Sequence, residues 1–137
     1  MTHAFGRLVD HIHLRVSNVE RSKRFYRAVF ESLGNLDLFH DAGDHFYADE
    51  LYFDAATDYV SRVHLAFQAR SQDAVDRFYR DAIAAGGTGN GAPGWRDYHD
   101  RYYSAFVLDP DGNNIEALCE EPTERSAAAV FVSDGRG

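Results

Sequence analysis

The sequence predicts an α+β fold: two tandem β-α-β-β-β modules forming a curved mixed sheet, a cup with its helices outside. Three observations carry this. His11-Ile12-His13-Leu14-Arg15-Val16 has a counterpart in His64-Leu65-Ala66-Phe67-Gln68-Ala69, 53 positions later. Arg24-Phe25-Tyr26-Arg27 returns unchanged as Arg77-Phe78-Tyr79-Arg80 at the same offset. In both places alternating apolar residues give way to apolar residues at helical spacing. One offset shared by two segments marks one structural unit used twice. It also sets His11 and His64 at equivalent points, where a pseudo-twofold axis brings them together, and that is a way to build a metal site.

In the first unit Ile12, Leu14 and Val16 alternate with His11, His13 and Arg15, a strand pattern. Ser17-Asn18-Val19-Glu20 reads as a capping box with Ser17 as the cap. Phe25, Val29 and Leu33, with Tyr26 and Phe30, then form one apolar helical face, and Gly34 supplies a left-handed stop. Leu36 to His40, Asp44 to Ala48 and Glu50 to Asp54 are short β-like runs. The second unit repeats this order. A strand spans Val63 to Phe67, Ser71 caps a helix carrying Val75, Phe78, Tyr79, Ala82 and Ile83, and Gly86-Gly87 ends it. Gly86 to Gly94 is aperiodic and reads as a loop before a poorly defined strand. Tyr102 to Leu108 and Asn113 to Cys119 form a hairpin across Asp109-Pro110-Asp111-Gly112, which suits a type I turn.

At 137 residues the chain is expected to be a single domain over 1–137. Module one runs from about 8 to 56, module two from about 60 to 121, and 122–137 is a C-terminal tail in which Val130-Phe131-Val132 offers an edge strand. A composition of 45% apolar and 14% aromatic residues is enough for a real core. The formal charge of −8 argues against nucleic acid or an anionic membrane as partner, since both select a basic surface. No apolar run approaches the about 20 residues that span a bilayer. Met1 to Val9 lacks the apolar core of a signal peptide. The lone Cys119 reads as a buried core thiol and fits a reducing, cytoplasmic setting.

The repeat predicts a second pair of equivalent positions. Aligning Glu116, in the last strand of unit two, with Glu50 in unit one gives an offset of 66, longer than 53 by about the extra loop material between Gly86 and Tyr103. Alternation turns Ile115, Ala117 and Cys119 toward the helices, as it does Leu51 and Phe53, leaving both glutamates on the opposite face.

With these residues in place the chain resembles the vicinal oxygen chelate superfamily, which includes glyoxalase I, extradiol ring-cleaving dioxygenases and fosfomycin- and bleomycin-resistance proteins. Four segments carry the resemblance: Asp10 to Val16, the Arg-Phe-Tyr helix, Val63-His64-Leu65-Ala66, and Asp109-Pro110-Asp111-Gly112-Asn113-Asn114-Ile115-Glu116. The last is the most specific. The resemblance implies one divalent metal ion (Fe, Zn, Ni, Co or Mn) held by His11, His64 and Glu116, with Glu50 at the position of a fourth ligand in glyoxalase I. Two imidazoles and a carboxylate suit such metals and leave positions open for substrate oxygens. A carboxylate such as Glu50 or Glu116 can also move a proton. Taken singly, a strand histidine is usually packed or solvated, and His40, His45 and His3 read as loop residues. His13 points with His11 and lines the site.

The function implied is a metal-dependent enzyme of glyoxalase or dioxygenase type. It binds the vicinal oxygens of a small-molecule substrate and stabilises the enolate or related anion, with glyoxalase-like lysis or isomerisation favoured by Glu50. The alternatives are extradiol ring cleavage, to which His99 points, and a metal-free ligand-binding protein of the bleomycin-resistance type. Extradiol enzymes also carry a Tyr where this chain has Phe106, and Tyr102 and Tyr103 stand nearby to replace it. His99, Tyr102 and Tyr103 are therefore expected to shape the cavity from the loop side. The superfamily pairs or swaps modules between chains and curved sheets leave edges to cover, so a homodimer is expected.

Overall fold

Strand β1 (Ile12–Val16) turns Leu14 and Val16 inward and leaves His13 and Arg15 on the other face. The protein is described by a computed structural model over residues 8–120, 124–127 and 130–135. His3 and part of the C-terminal tail lie outside them. Helix α1 (Val19–Ser32) follows, and its cap is Asn18, not Ser17: the Asn18 side chain accepts from the Arg21 amide at 2.9 Å. Both residue types cap well. The choice is decided by Asp111, far away in sequence, which takes both the Ser17 amide and the Ser17 hydroxyl. The helix buries Phe25, Tyr26, Val29 and Phe30 and ends before Gly34, whose φ of +77° is the left-handed value foreseen for it.

A short 3-10 turn (Leu36–Leu38) leads to β2 (Phe39–Asp41), β3 (His45–Ala48) and β4 (Leu51–Ala55). The sheet order is β1-β4-β3-β2, with β1 and β4 parallel and the rest antiparallel. Module two repeats the plan with β5 (His64–Gln68), α2 (Gln72–Ala84), β6 (Thr88–Arg96), β7 (Tyr102–Leu108) and β8 (Asn114–Glu120), in the order β5-β8-β7-β6. Ser71 caps α2 as expected, accepting from the Ala74 amide at 3.1 Å. Within the chain these are two mixed four-stranded sheets, not one continuous sheet, and β1 and β5 are each an outer strand.

The glycine-rich segment is the main departure. β6 is nine residues long and pairs with β7 through two register shifts at Gly89, Gly91 and Gly94. Glycines carry no period-2 signal, yet their backbone groups pair as well as any, and the shifts are bulges of the kind glycine permits. Gly87 is needed for another reason. A Cβ there would sit 2.5 Å from Val107 Cγ1 and 2.7 Å from Phe25 Cε2, so the end of α2 lies pressed between β7 and α1. The foreseen edge strand at Val130-Phe131-Val132 does not form; these residues belong to no strand and are exposed.

Each helix covers the apolar face of its own sheet and leaves the opposite face open. One core cluster runs through both modules, from Leu14, Phe25, Phe46 and Phe53 to Phe78, Val107 and Ile115. The modules are joined where Phe30 meets Phe67 edge-on at 5.5 Å, and where the buried Tyr26 hydroxyl donates to Asp109 at 2.5 Å. Burial and the adjacent carboxylate hold the Tyr26 phenol well above its usual range. It therefore stays a proton donor. Among the described residues no helix is long and apolar enough to cross a membrane.

Candidate functional site

The uncovered face of the second sheet collects the polar residues. In β8, Ile115, Ala117 and Cys119 turn into the core, and Glu116 faces the other way as alternation requires. Glu116 is nonetheless 3% exposed, because its neighbours close over it. His64 Nε2 lies 3.0 Å from Oε1, and the Tyr102 hydroxyl donates to Oε2 at 2.5 Å. Burial first, and the bond to Glu116 second, push the Tyr102 phenol above its usual range, so it holds its proton against the carboxylate. His99 stands beside Tyr102, its ring edge-on at 5.6 Å, with Nδ1 2.7 Å from Glu120 Oε1. Tyr98 packs against Tyr102 from the same loop.

The turn before β8 holds this pair in place. Asp109, 5% exposed, accepts from the amides of Asp111 and Asn113, from the Asn113 side chain and from Tyr26. Asn113 Oδ1 in turn accepts the Val63 amide at 2.7 Å, and the Asn114 amide donates to the Val63 carbonyl at 3.0 Å. The residue before His64 is thus pinned to the residues before Glu116. The turn reads in sequence as a hairpin signal only; its task of registering β5 against β8 shows in the hydrogen bonds.

Tyr103 does not join this group. It alternates with Tyr102, points to the helix side and donates to Asp76 at 2.7 Å, which raises its phenol to about 12. Two adjacent strand residues cannot share a face.

The other proposed ligands sit on module one. His11 precedes β1, with Nδ1 2.7 Å from Asp10 and its side chain 68% exposed. Glu50 lies in the two-residue turn between β3 and β4, where Asp49 takes a φ of +51°. His11, Tyr47, Asp49, Glu50, Leu51 and Tyr52 line a cavity of about 290 Å³. Partial desolvation there, with Asp49 adding to it, raises the Glu50 pKa from its ordinary value. His13 bonds Asp54 at 2.7 Å on the same face. His40 and His45 belong to β2 and β3 rather than to loops, and their rings stack on Tyr47 and Tyr52.

The registers correct the pairing of Glu50 with Glu116. Ala66 pairs with Glu116 in module two, and His13, the residue 53 before Ala66, pairs with Tyr52. Tyr52 therefore occupies the place of Glu116 in module one. Glu50 corresponds to Asn114, the partner of His64. Insertion lengths counted along the chain do not fix register to within two residues, whereas strand pairing does.

Among the described residues, no three His, Cys, Asp or Glu side chains stand close enough to enclose one metal ion. His11, His64 and Glu116 are thus not gathered within one chain; the structure brings together two half-sites, His64 with Glu116 and His11 with Glu50. The first suits a metal. Two ligands at about 2.1 Å from an ion and at right angles to one another lie about 3.0 Å apart, the spacing of His64 Nε2 and Glu116 Oε1. Tyr102 fixes the carboxylate by its second oxygen, as outer partners of metal ligands do.

A family model described as the Glyoxalase/Bleomycin resistance protein/Dioxygenase superfamily matches residues 8–117. A glyoxalase/bleomycin resistance protein from Albidiferax ferrireducens T118 is similar at 29% identity and a TM-score of 0.69, over 82% of this chain and 99% of the other. A glyoxalase-related enzyme from Fulvimarina pelagi shares the fold at 20% identity and a TM-score of 0.68, over 93% and 99%. So does the oxidase ChaP-H2, at 21% and 0.60, over 84% and 94%. No curated protein sequence matches the chain.

Proposed function

The chain belongs to the Glyoxalase/Bleomycin resistance protein/Dioxygenase superfamily, and on that premise we propose that it is a metal-dependent enzyme acting on a small substrate with vicinal oxygens. His64 and Glu116 of one copy supply two ligands, and His11 of a second copy supplies the third. The observation that carries this reading is the His64–Glu116 pair at 3.0 Å, tied at its far oxygen by Tyr102. The copy-to-copy arrangement is supported by the separation of the half-sites and by β1 and β5 being outer strands, with the exposed His11 just before the one and the exposed His64 on the other. Asp10 takes His11 Nδ1 and leaves Nε2 as the nitrogen to bind with.

Two histidines and one carboxylate form the facial set of iron oxygenases, with open positions for substrate and dioxygen. Tyr52 at Glu116's counterpart position removes the fourth carboxylate expected of a glyoxalase I, so oxidative chemistry of the dioxygenase branch is the favoured reaction. When bound, the ion supplies Lewis acidity and orients the two substrate oxygens. The chain's own residues do the rest. Glu116 is held by the Tyr102 donor, and His99, beside Tyr102, takes or returns a substrate proton. Phe106, in register with Glu116, gives this face an apolar surface.

Glu50 favours a second reading, lysis or isomerisation, because it shares a cavity with His11 and its raised pKa suits a proton-transferring group. One experiment separates the two. Protein reconstituted anaerobically with Fe(II) is given catechol and dioxygen consumption is followed; protein with Zn(II) or Ni(II) is given the methylglyoxal–glutathione hemithioacetal. Oxygen uptake abolished by His64→Ala supports the first reading. Turnover of the hemithioacetal alone replaces it with the second, and failure to retain any metal overturns both.

A further inference from the structure

Across the face that carries Glu116, the strand order places His64 on β5, Glu116 on β8, Phe106 on β7 and Arg96 on β6. Phe106 pairs with Glu116, and its ring is 6.0 Å from the His64 ring on one side. On the other side the Arg96 guanidinium stands 5.4 Å from the same ring. All the bonds that hold Arg96 go to neutral acceptors: the Ala92 carbonyl at 2.6 Å, the Ser104 carbonyl at 3.2 Å and the Ser104 hydroxyl at 3.3 Å. Among the described residues no carboxylate forms an ion pair with it, whereas Arg15, Arg27 and Arg80 each meet an aspartate. Among the strand residues of this face Arg96 is the only Lys or Arg.

A half-buried guanidinium in a chain of net charge −8 would ordinarily find a carboxylate. Here it is fixed by neutral groups that immobilise it without neutralising it, and its charge stays available to a ligand. Its Nη2 and Nε hydrogens are taken by Ala92 and Ser104, which leaves the Nη1 hydrogens to make charge-assisted bonds to a carboxylate. Strands lie about 4.8 Å apart, so two strand spacings, roughly 10 Å, separate the backbones of Glu116 and Arg96. Phe106 fills that interval with a flat apolar surface.

We infer that Arg96 is the specificity-determining residue of this site, and that the substrate is an aromatic compound with its vicinal oxygens at His64 and Glu116 and a carboxylate at Arg96. The ring lies on Phe106 and spans the two. This inference rests on the functional reading above only for the face it assigns to substrate; anion binding by Arg96 needs no metal.

The test uses the full chain, metal-free, titrated with benzoate and with benzyl alcohol, which match in shape and differ in charge. Amide shifts of Ser104 and Phe106 report binding at the site. Benzoate is expected to bind about tenfold more tightly than benzyl alcohol. Arg96→Gln removes that preference and leaves benzyl alcohol within about twofold. Arg96→Lys keeps part of the preference through its charge alone, an effect that a bond merely bracing the Ala92 bulge would not produce. Equal affinity of the unaltered protein for the two probes overturns the inference, even if the glutamine variant fails to fold. So does a preference that survives Arg96→Gln. A parallel Mn(II) titration separates the readings: benzoate preference without metal binding retains the Arg96 subsite and rejects the metal enzyme, and metal binding without the preference does the reverse.

Discussion

Tyr102 donates its hydroxyl to Glu116 at 2.5 Å, while Tyr103, one residue on, donates to Asp76 on the opposite side of the sheet. The two phenols therefore answer different questions. Tyr102→Phe leaves a buried carboxylate oxygen short of a donor and is expected to cost about 1–3 kcal/mol in urea unfolding. It should also weaken metal binding by about 10–100-fold. Tyr103→Phe should stay within about 0.5 kcal/mol and leave metal binding unchanged. Equal effects of the two substitutions would contradict the assignment of Tyr102 to the site.

If the half-sites combine between copies, His11→Ala and His64→Ala should each be inactive alone and active when mixed. A heterodimer of the two keeps one intact site and loses both histidines of the other. Random pairing then restores about a quarter of the unaltered activity. Mixing after co-refolding and measuring turnover decides it; no recovery means that each site is built within one chain.

Asp109 receives four hydrogen bonds inside the core. Asp109→Ala orphans the buried Tyr26 hydroxyl and the Asn113 amide groups and should destabilise by about 3–5 kcal/mol in chemical denaturation. Asn113→Ala is the subtler probe. It frees the Val63 amide, so the folded protein should lose metal affinity in calorimetric titration more than it loses stability.

Glu50 titrates above its ordinary value because folding partly desolvates it. For a carboxyl raised in the folded state, the stabilising contribution is complete below the unfolded pKa and is lost as pH rises through the folded one. Glu50→Gln should therefore make the protein more stable than the unaltered chain at pH 7, with the gain vanishing near pH 4. The gain is small, because the side chain keeps contact with solvent. Thermal melts at the two pH values check the sign.

The repeat made most of the architecture legible, because backbone periodicity and helix stops are local: Ser71, Gly34 and the Asp109-Pro110-Asp111-Gly112 turn do in the structure what their types suggest. What escaped is set by distant partners. Ser17 lost the cap to Asn18 because Asp111 claims it. The start of β6 is hidden in sequence, where Gly86 to Gly94 reads as loop before a poorly defined strand, because its glycines pair with β7 without a period-2 signal. His64 and Glu116 were legible as a pair, since alternation and the turn fix both. Glu50 was not, because a two-residue register difference hides inside a loop-length count. Tyr103 was misplaced by proximity in sequence, which alternation overrules. Asn113 and Arg96 gave no periodic signal, and only their hydrogen-bond partners reveal them.

The bond from Tyr26 to Asp109 runs from the helix of the first module to the turn that sets the spacing of His64 and Glu116 in the second. The two modules are thereby tied to one another. A nick in the connection between residues 56 and 62 would leave the buried Tyr26 hydroxyl on one fragment and its acceptor Asp109 on the other. Neither fragment would inherit half of the chemistry, because the copy that owns the carboxylate depends on its sister for the alignment of its own ligands.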